Sequence, residues 1–149
     1  MGTKRLGLAR IEALIENLKR DLDMTSATLS SPSIDGAVKL GMATQAVTAV
    51  GSNQGDAAAI AATAPVVLVS GANGSKGVVL PALATAGAGA MVVIANLAAG
   101  VLKVYPASGD QVLPLSDDTA YEMANSTTSI LFSADGVKWV GFEGAVIAA

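Results

Sequence analysis

The 149-residue sequence contains no cysteine and no histidine. Without cysteine there can be no disulfide, and without either residue the usual structural zinc sets cannot be built. The absence of histidine removes the commonest general base, and with it every Ser-His or Cys-His nucleophile arrangement. Only Asp, Glu or Lys chemistry remains open. Aromatics are scarce too: Tyr105, Tyr121, Phe132, Trp139 and Phe142 are all of them, and they fall in the last third of the chain. Any bulky core is therefore expected there. Charged residues make up only 14% of the chain, against 52% hydrophobic, so a buried core is expected and disorder is not.

The charges are unevenly placed. Lys4, Arg5, Arg10, Lys19 and Arg20 stand against Glu12, Glu16, Asp21 and Asp23, leaving segment 1–23 at +1, while the remainder carries −4 of the total −3. A weakly acidic body has no basic stripe to follow a phosphate backbone, so nucleic acid is not an expected partner. Charges recur as far as Asp23, so no secretory signal pattern is visible, and export by that route is not expected. Between Lys76 and Lys103 there is no charge at all, a length that could span a bilayer. That stretch holds Gly77, Pro81, Gly87, Gly89, Asn96 and Gly100, and its apolar residues come in short valine-rich runs, the pattern of buried strands rather than of a membrane helix. No membrane partner is expected.

Three regions follow from composition. In residues 1–23, Leu8, Ile11, Ile15, Leu18 and Leu22 step three and four positions apart, with Leu14 widening the stripe, so an amphipathic α-helical arm is expected. Two heptads are marginal alone in water, and such a helix needs a partner surface: its own body, a sister chain or another protein. Residues 24–36 are rich in Ser and Thr, with Pro32 and Gly36, and read as a linker. Residues 37–149 form a β-rich body. Val66–Val69 and Val78–Leu80 flank Asn73-Gly74, which predicts a hairpin because that dipeptide suits turn positions with positive φ. Met91–Ile94 and Val101–Tyr105 are further strands. Ile130–Ser133 and Val137–Val140 flank Ala134-Asp135-Gly136 and predict a second hairpin, with Trp139 and Val137 on the same side facing Phe132 and Ile130. Short strands at roughly ten-residue spacing predict a mainly β fold, a small antiparallel sandwich, prism or barrel. Residues 37–64 are mostly Ala, Gly, Thr and Ser with single aliphatics, too small to fill a thick core, which suits backbones meeting closely about a symmetry axis.

Motifs that could carry chemistry fail on spacing. Ser70-Gly71-Ala72-Asn73-Gly74-Ser75-Lys76-Gly77 interposes Ser75 before the lysine and lacks a Ser or Thr after it, and a strand follows where a phosphate loop needs a helix. Gly87-Ala88-Gly89 precedes a strand and lacks the third glycine of a dinucleotide fingerprint. Asp110, Asp117, Asp118 and Glu122 could offer oxygen ligands to a hard cation but have no EF-hand spacing, and they read as solvated turn residues. A pair of carboxylates working as a glycosidase stays open, but nothing singles out the pair. No catalytic residue, cofactor or metal is expected.

Gly77-Val78-Val79-Leu80-Pro81, Val92-Val93-Ile94-Ala95-Asn96, Val101-Leu102-Lys103-Val104-Tyr105-Pro106-Ala107-Ser108-Gly109-Asp110 and the terminal pair Phe132 and Trp139 together resemble a β module of tailed-phage structural proteins, one found in capsid decoration proteins and in head or tail fibres. The opening residues, Met1 to Arg20, are similar to N-termini of structural proteins of marine phages. The resemblance implies a non-enzymatic virion protein on the capsid surface: a homotrimeric decoration (cement) protein whose partner is the major capsid protein. Lys4, Arg5, Arg10, Leu8, Ile11, Ile15, Leu18 and Leu22 would then be docking residues. A fibre or spike module is the alternative, disfavoured by the lack of a long repetitive shaft. A carbohydrate-binding module with Trp139, Tyr105 and Tyr121 as sugar platforms is a third reading, although a hairpin tryptophan is more often core.

Overall fold

A computed structural model describes residues 42–146, with side chains through Phe142. The helical arm, the linker and all eight expected docking residues, from Lys4 to Leu22, lie outside the described residues.

The body is mainly β. Among the described residues ten strands run in the order β1 (Thr44–Thr48), β2 (Ala58–Ala59), β3 (Val66–Ser70), β4 (Gly77–Val79), β5 (Met91–Asn96), β6 (Leu102–Tyr105), β7 (Val112–Leu113), β8 (Tyr121–Met123), β9 (Thr127–Phe132) and β10 (Trp139–Val146), with a short helix α1 (Leu83–Ala86) between β4 and β5. They form a six-stranded sheet ordered β1-β3-β5-β9-β10-β7 and a four-stranded sheet ordered β2-β4-β6-β8. From β1 to β6 successive strands alternate between the sheets, so the chain winds as three stacked coils: β1 and β2, β3 and β4, β5 and β6. Within each sheet these strands are parallel and in register, β1 to β3 to β5 and β2 to β4 to β6. Thr44 pairs with Val66 and Val66 with Val93, so the second coil takes a longer piece of chain than the first to return to the same place. At one end the stack reverses: β8 adds antiparallel to β6, and β9 adds antiparallel to β5.

The expected antiparallel sandwich, prism or barrel is therefore corrected to a solenoid-like layout, and the first hairpin is corrected with it. β3 and β4 belong to different sheets and do not pair. Asn73-Gly74 makes a corner instead of a reversal. The Asn73 carboxamide oxygen accepts hydrogen bonds from Ser75 N, Ser75 Oγ and Lys76 N, while Gly74 alone takes a positive φ of 91°. A two-residue hairpin turn of the expected kind needs positive φ at both central positions. The second hairpin is present, with Phe132 opposite Val140 and Ile130 opposite Phe142. Its turn is longer than expected, and Val137 lies in it, 63% exposed. Trp139 consequently does not share a side with Val137; it pairs with Val112 of β7 and points into the core.

One face of each sheet builds that core. Val67, Val69, Val92, Ile94 and Leu131 from the larger sheet meet Val78, Leu102, Val104 and Met123 from the smaller, and Trp139 and Val112 belong to the same cluster. Each such aliphatic side chain contributes about 1.5–3 kcal/mol on full burial. Aliphatic side chains thus line the core along the whole stack, while its bulkiest fully buried side chains, Trp139, Leu102, Met123 and Leu131 beside Ile94, fall mostly in the last third of the chain, as expected. Buried Asn96 is satisfied at the third corner: its amide donates to the carbonyls of Gly100 and Ala124, and its oxygen accepts from Ala98 N.

Candidate functional site: the outer face of the six-stranded sheet

Strand alternation sends every second side chain of the larger sheet away from the core. The registers assemble these outward residues into rows. One row runs Thr44, Val66, Val93, Ile130, Phe142 across β1, β3, β5, β9 and β10. A second runs Met91, Phe132, Val140, Leu113 across β5, β9, β10 and β7. A third runs Ala46, Leu68, Ala95, Thr128. Leu68, Met91, Ile130, Leu113 and Phe142 are large apolar residues exposed to solvent, Phe142 by 58%. No charged residue stands in any of the three rows. Monomeric soluble proteins seldom leave a contiguous apolar face of this kind in water.

The smaller sheet is different. Its outward positions place Lys103 opposite Glu122, and Tyr105 is covered, its hydroxyl donating to the Ser52 carbonyl. Cross-strand opposite charges are the ordinary chemistry of a solvated sheet surface. Among the described residues, the larger sheet is the one with apolar side chains on both faces.

The residues considered for other chemistry are held in structural roles. Trp139 is fully buried and Tyr105 only 8% exposed, so neither offers a ring face to a sugar. The Tyr121 hydroxyl lies 3.3 Å from Ser129 Oγ. In the segment resembling a phosphate loop, the Asn73 side chain already takes the amides of Ser75 and Lys76. Gly87 terminates α1, its N–H donating to the Leu83 carbonyl. Asp110 accepts from Leu83 N at the start of that helix. Asp118 accepts from Gly109 N and from Gln54 Nε2, which also donates to the Pro106 carbonyl, so one carboxylate ties together three loops. Among the described residues no group of three potential metal-ligating side chains converges, and no helix is long and apolar enough to cross a membrane.

The hydrogen bond from Gln54 and then that from Gly109 hold the Asp118 carboxyl below its ordinary value of 3.8. A carboxyl depressed in the folded state contributes its stabilisation above the unfolded value and loses it as pH falls through the folded one. Titrated by NMR, Asp118 is expected to show a midpoint below 3.8. Gln54→Ala should raise that midpoint, and Asp118→Asn should remove the acid response of the Gly109 amide. Because the group is exposed, solvent screens it and the melting temperature should barely move. An Asp118 midpoint unchanged by Gln54→Ala would refute the assignment.

The sequence signalled the apolar face without resolving it. Val66-Val67-Leu68-Val69 and Met91-Val92-Val93-Ile94 are apolar at both parities, the pattern of strands with two apolar sides. One parity fills the core; the other is the exposed face. No family model, curated protein or solved structure matches this chain.

Proposed function

We propose that the chain is a structural virion protein that decorates the outer shell of a phage capsid as a homotrimer. The observation that supports this best is the charge-free apolar face of the six-stranded sheet, a surface suited to permanent assembly rather than to turnover. The body supplies the trimer, and the charged segment 1–23, with its apolar seam, supplies attachment to the major capsid protein. Light scattering at micromolar concentration is expected to return three times the chain mass; a monomer would count against the reading. Deleting residues 1–23 should leave the β body folded and abolish binding to undecorated capsids, measured by co-sedimentation. Undiminished binding of the truncated protein would contradict the arm's role.

The stacked coils favour one second reading, a head or tail fibre module. A solenoid-like stack is a short shaft, and among the described residues β1 and β2 form its open edge at one end. Gold-labelled protein on virions separates the two: label spread over the shell supports decoration, and label at the ends of projecting fibres supports the alternative.

A further inference from the structure

Of the five asparagines in the sequence, Asn73 is the one that precedes a glycine. In that pairing no side chain shields the following amide nitrogen, which can approach the asparagine's own carboxamide carbon. Both residues lie exposed at the corner between β3 and β4, and a Cβ built on Gly74 would meet none of the described residues within 4 Å, so water has access. The Asn73 carboxamide oxygen accepts from Ser75 N, Ser75 Oγ and Lys76 N, and these donors draw electrons from the carbonyl carbon while taking no hold on the amide nitrogen. The opposing constraint falls on the attacking atom. Gly74 N donates to the Val101 carbonyl at 2.8 Å, a bond from this corner to the next one, between β5 and β6. That next corner is fixed from within, because buried Asn96 donates to the Gly100 carbonyl and accepts from Ala98 N. It is also close: a Cβ built on Gly100 would lie 2.6 Å from Asn73 Cα and 2.8 Å from the Ala72 carbonyl oxygen.

We propose that Asn73 is a latent deamidation site, locked while the Gly100-Val101 corner is seated against it and released when the two corners part. In the released state hydroxide takes the Gly74 amide proton and the nitrogen forms a bond to Asn73 Cγ. The Cγ–Nδ2 bond then breaks, and Nδ2 leaves as ammonia after taking a proton from water. Water opens the resulting succinimide at either carbonyl, giving aspartate or isoaspartate, so that overall a water is consumed and an ammonia released. In the seated state the Gly74 proton is engaged by Val101 and the nitrogen is held against turning toward Cγ. Parting of the corners is a local opening, which needs less free energy than global unfolding. The two products differ in consequence. Aspartate keeps an oxygen where Ser75 and Lys76 need an acceptor, whereas isoaspartate inserts a carbon into the backbone and carries the chain out of this turn. Either product adds a negative charge to the corner and leaves a covalent record that the second and third coils have separated there. The chemistry is independent of the decoration role.

The test follows Asn73 by peptide mapping and tandem mass spectrometry during incubation of the full chain at mildly alkaline pH, folded and in urea. In urea Asn73 is expected to convert to aspartate and isoaspartate ahead of the other asparagines, and in the folded protein to convert far more slowly. Equal rates in the two conditions would overturn the proposal. Gly100→Ala pushes a methyl group against Asn73 Cα and so parts the corners without touching the reacting atoms. Overpacking of a tight contact shifts such an opening by roughly 5–30-fold, and where reclosing is fast the chemistry follows the open population. Folded Gly100→Ala, checked by circular dichroism, should therefore deamidate at Asn73 roughly 5–30-fold faster than folded wild type, while the two chains react alike in urea. A folded variant that reacts no faster than wild type would overturn the lock. If the variant does not fold, wild type alone decides: below the unfolding transition, exchange of the Gly74 amide and deamidation of Asn73 should rise with urea in the same proportion. A Gly74 amide that exchanges freely while Asn73 stays intact would show that its bond to Val101 is not what protects the site.

Discussion

Replacing Trp139 with alanine is expected to cost about 3–5 kcal/mol, the usual range for truncating a buried tryptophan. Trp139 is fully buried in a cluster that includes Val112 and Leu131, at the first residue of β10, where the larger sheet gains its last strand. Domains of ordinary size are stable by only about 5–15 kcal/mol, so Trp139→Ala should melt far below wild type or accumulate as insoluble protein. Among the described residues the indole N–H finds no hydrogen-bond partner. An unpaired buried donor is itself unfavourable by about 1–3 kcal/mol. Trp139→Phe, which removes that donor and keeps much of the volume, should therefore melt much closer to wild type than the alanine variant. Thermal melts of the three proteins decide the matter. If Trp139→Ala melts like wild type, the residue is not part of the core. If Trp139→Phe is as damaged as Trp139→Ala, shape rather than the orphan donor dominates at this position.

That tryptophan also marks where sequence reasoning stops. Burial of Trp139 was legible, because a large aromatic beside an Asp-Gly turn in a short strand has few other uses. Its neighbours were not. Strict alternation placed Val137 beside it, but the Asp135 carboxylate accepts from Val137 N and Lys138 N, which holds those residues in the turn and delays the strand to Trp139. Asn73-Gly74 failed for a related reason. Local turn chemistry states that the chain bends; it does not state whether the next strand returns beside the last one or passes into a second sheet. The parallel partners are unevenly spaced, Thr44 to Val66 being a shorter step than Val66 to Val93, and the inequality hides the repeat that would have disclosed a solenoid-like stack. The extra length of the second coil includes α1 and the Gly87-Ala88-Gly89 turn before β5. The candidate site was legible only in part. Apolar runs in both parities announced two apolar faces, yet which residues line the outward one depends on registers that no local pattern fixes. The row from Thr44 to Phe142 draws on five strands scattered along most of the body, so only the folded sheet assembles it.

Spacing between coils produces the other large expected effect. Gly77 is the first residue of β4, in the middle of the stack of corners, and a Cβ placed there would lie 2.6 Å from the Lys103 carbonyl oxygen and 2.8 Å from Tyr105 Cε2. The ring can swing, but the carbonyl belongs to the backbone of β6, which pairs with β4 at Lys103. Nor can Gly77 retreat to the other side, because its N–H donates to the Val50 carbonyl and its own carbonyl accepts from Val50 N. A methyl group therefore has to be accommodated by separating two coils or breaking one of those bonds. Overpacking a rigid site typically costs about 1–3 kcal/mol, and a lost buried backbone pairing adds about 1–3 kcal/mol more. Gly77→Ala should consequently lower the melting temperature well beyond the effect of Gly74→Ala, since at Gly74 a Cβ meets none of the described residues within 4 Å. The positive φ of Gly74 still strains alanine there by about 1–2 kcal/mol, so the comparison isolates packing between coils from backbone preference. Hydrogen exchange gives the mechanism: in Gly77→Ala the amides of Gly77 and Lys103 should lose protection first, because Lys103 N donates to the Lys76 carbonyl beside the clash. Equal melts for the two alanine variants, with those amides still protected, would mean that the coils are not in close contact at Gly77 and that the stack is held by its aliphatic core alone.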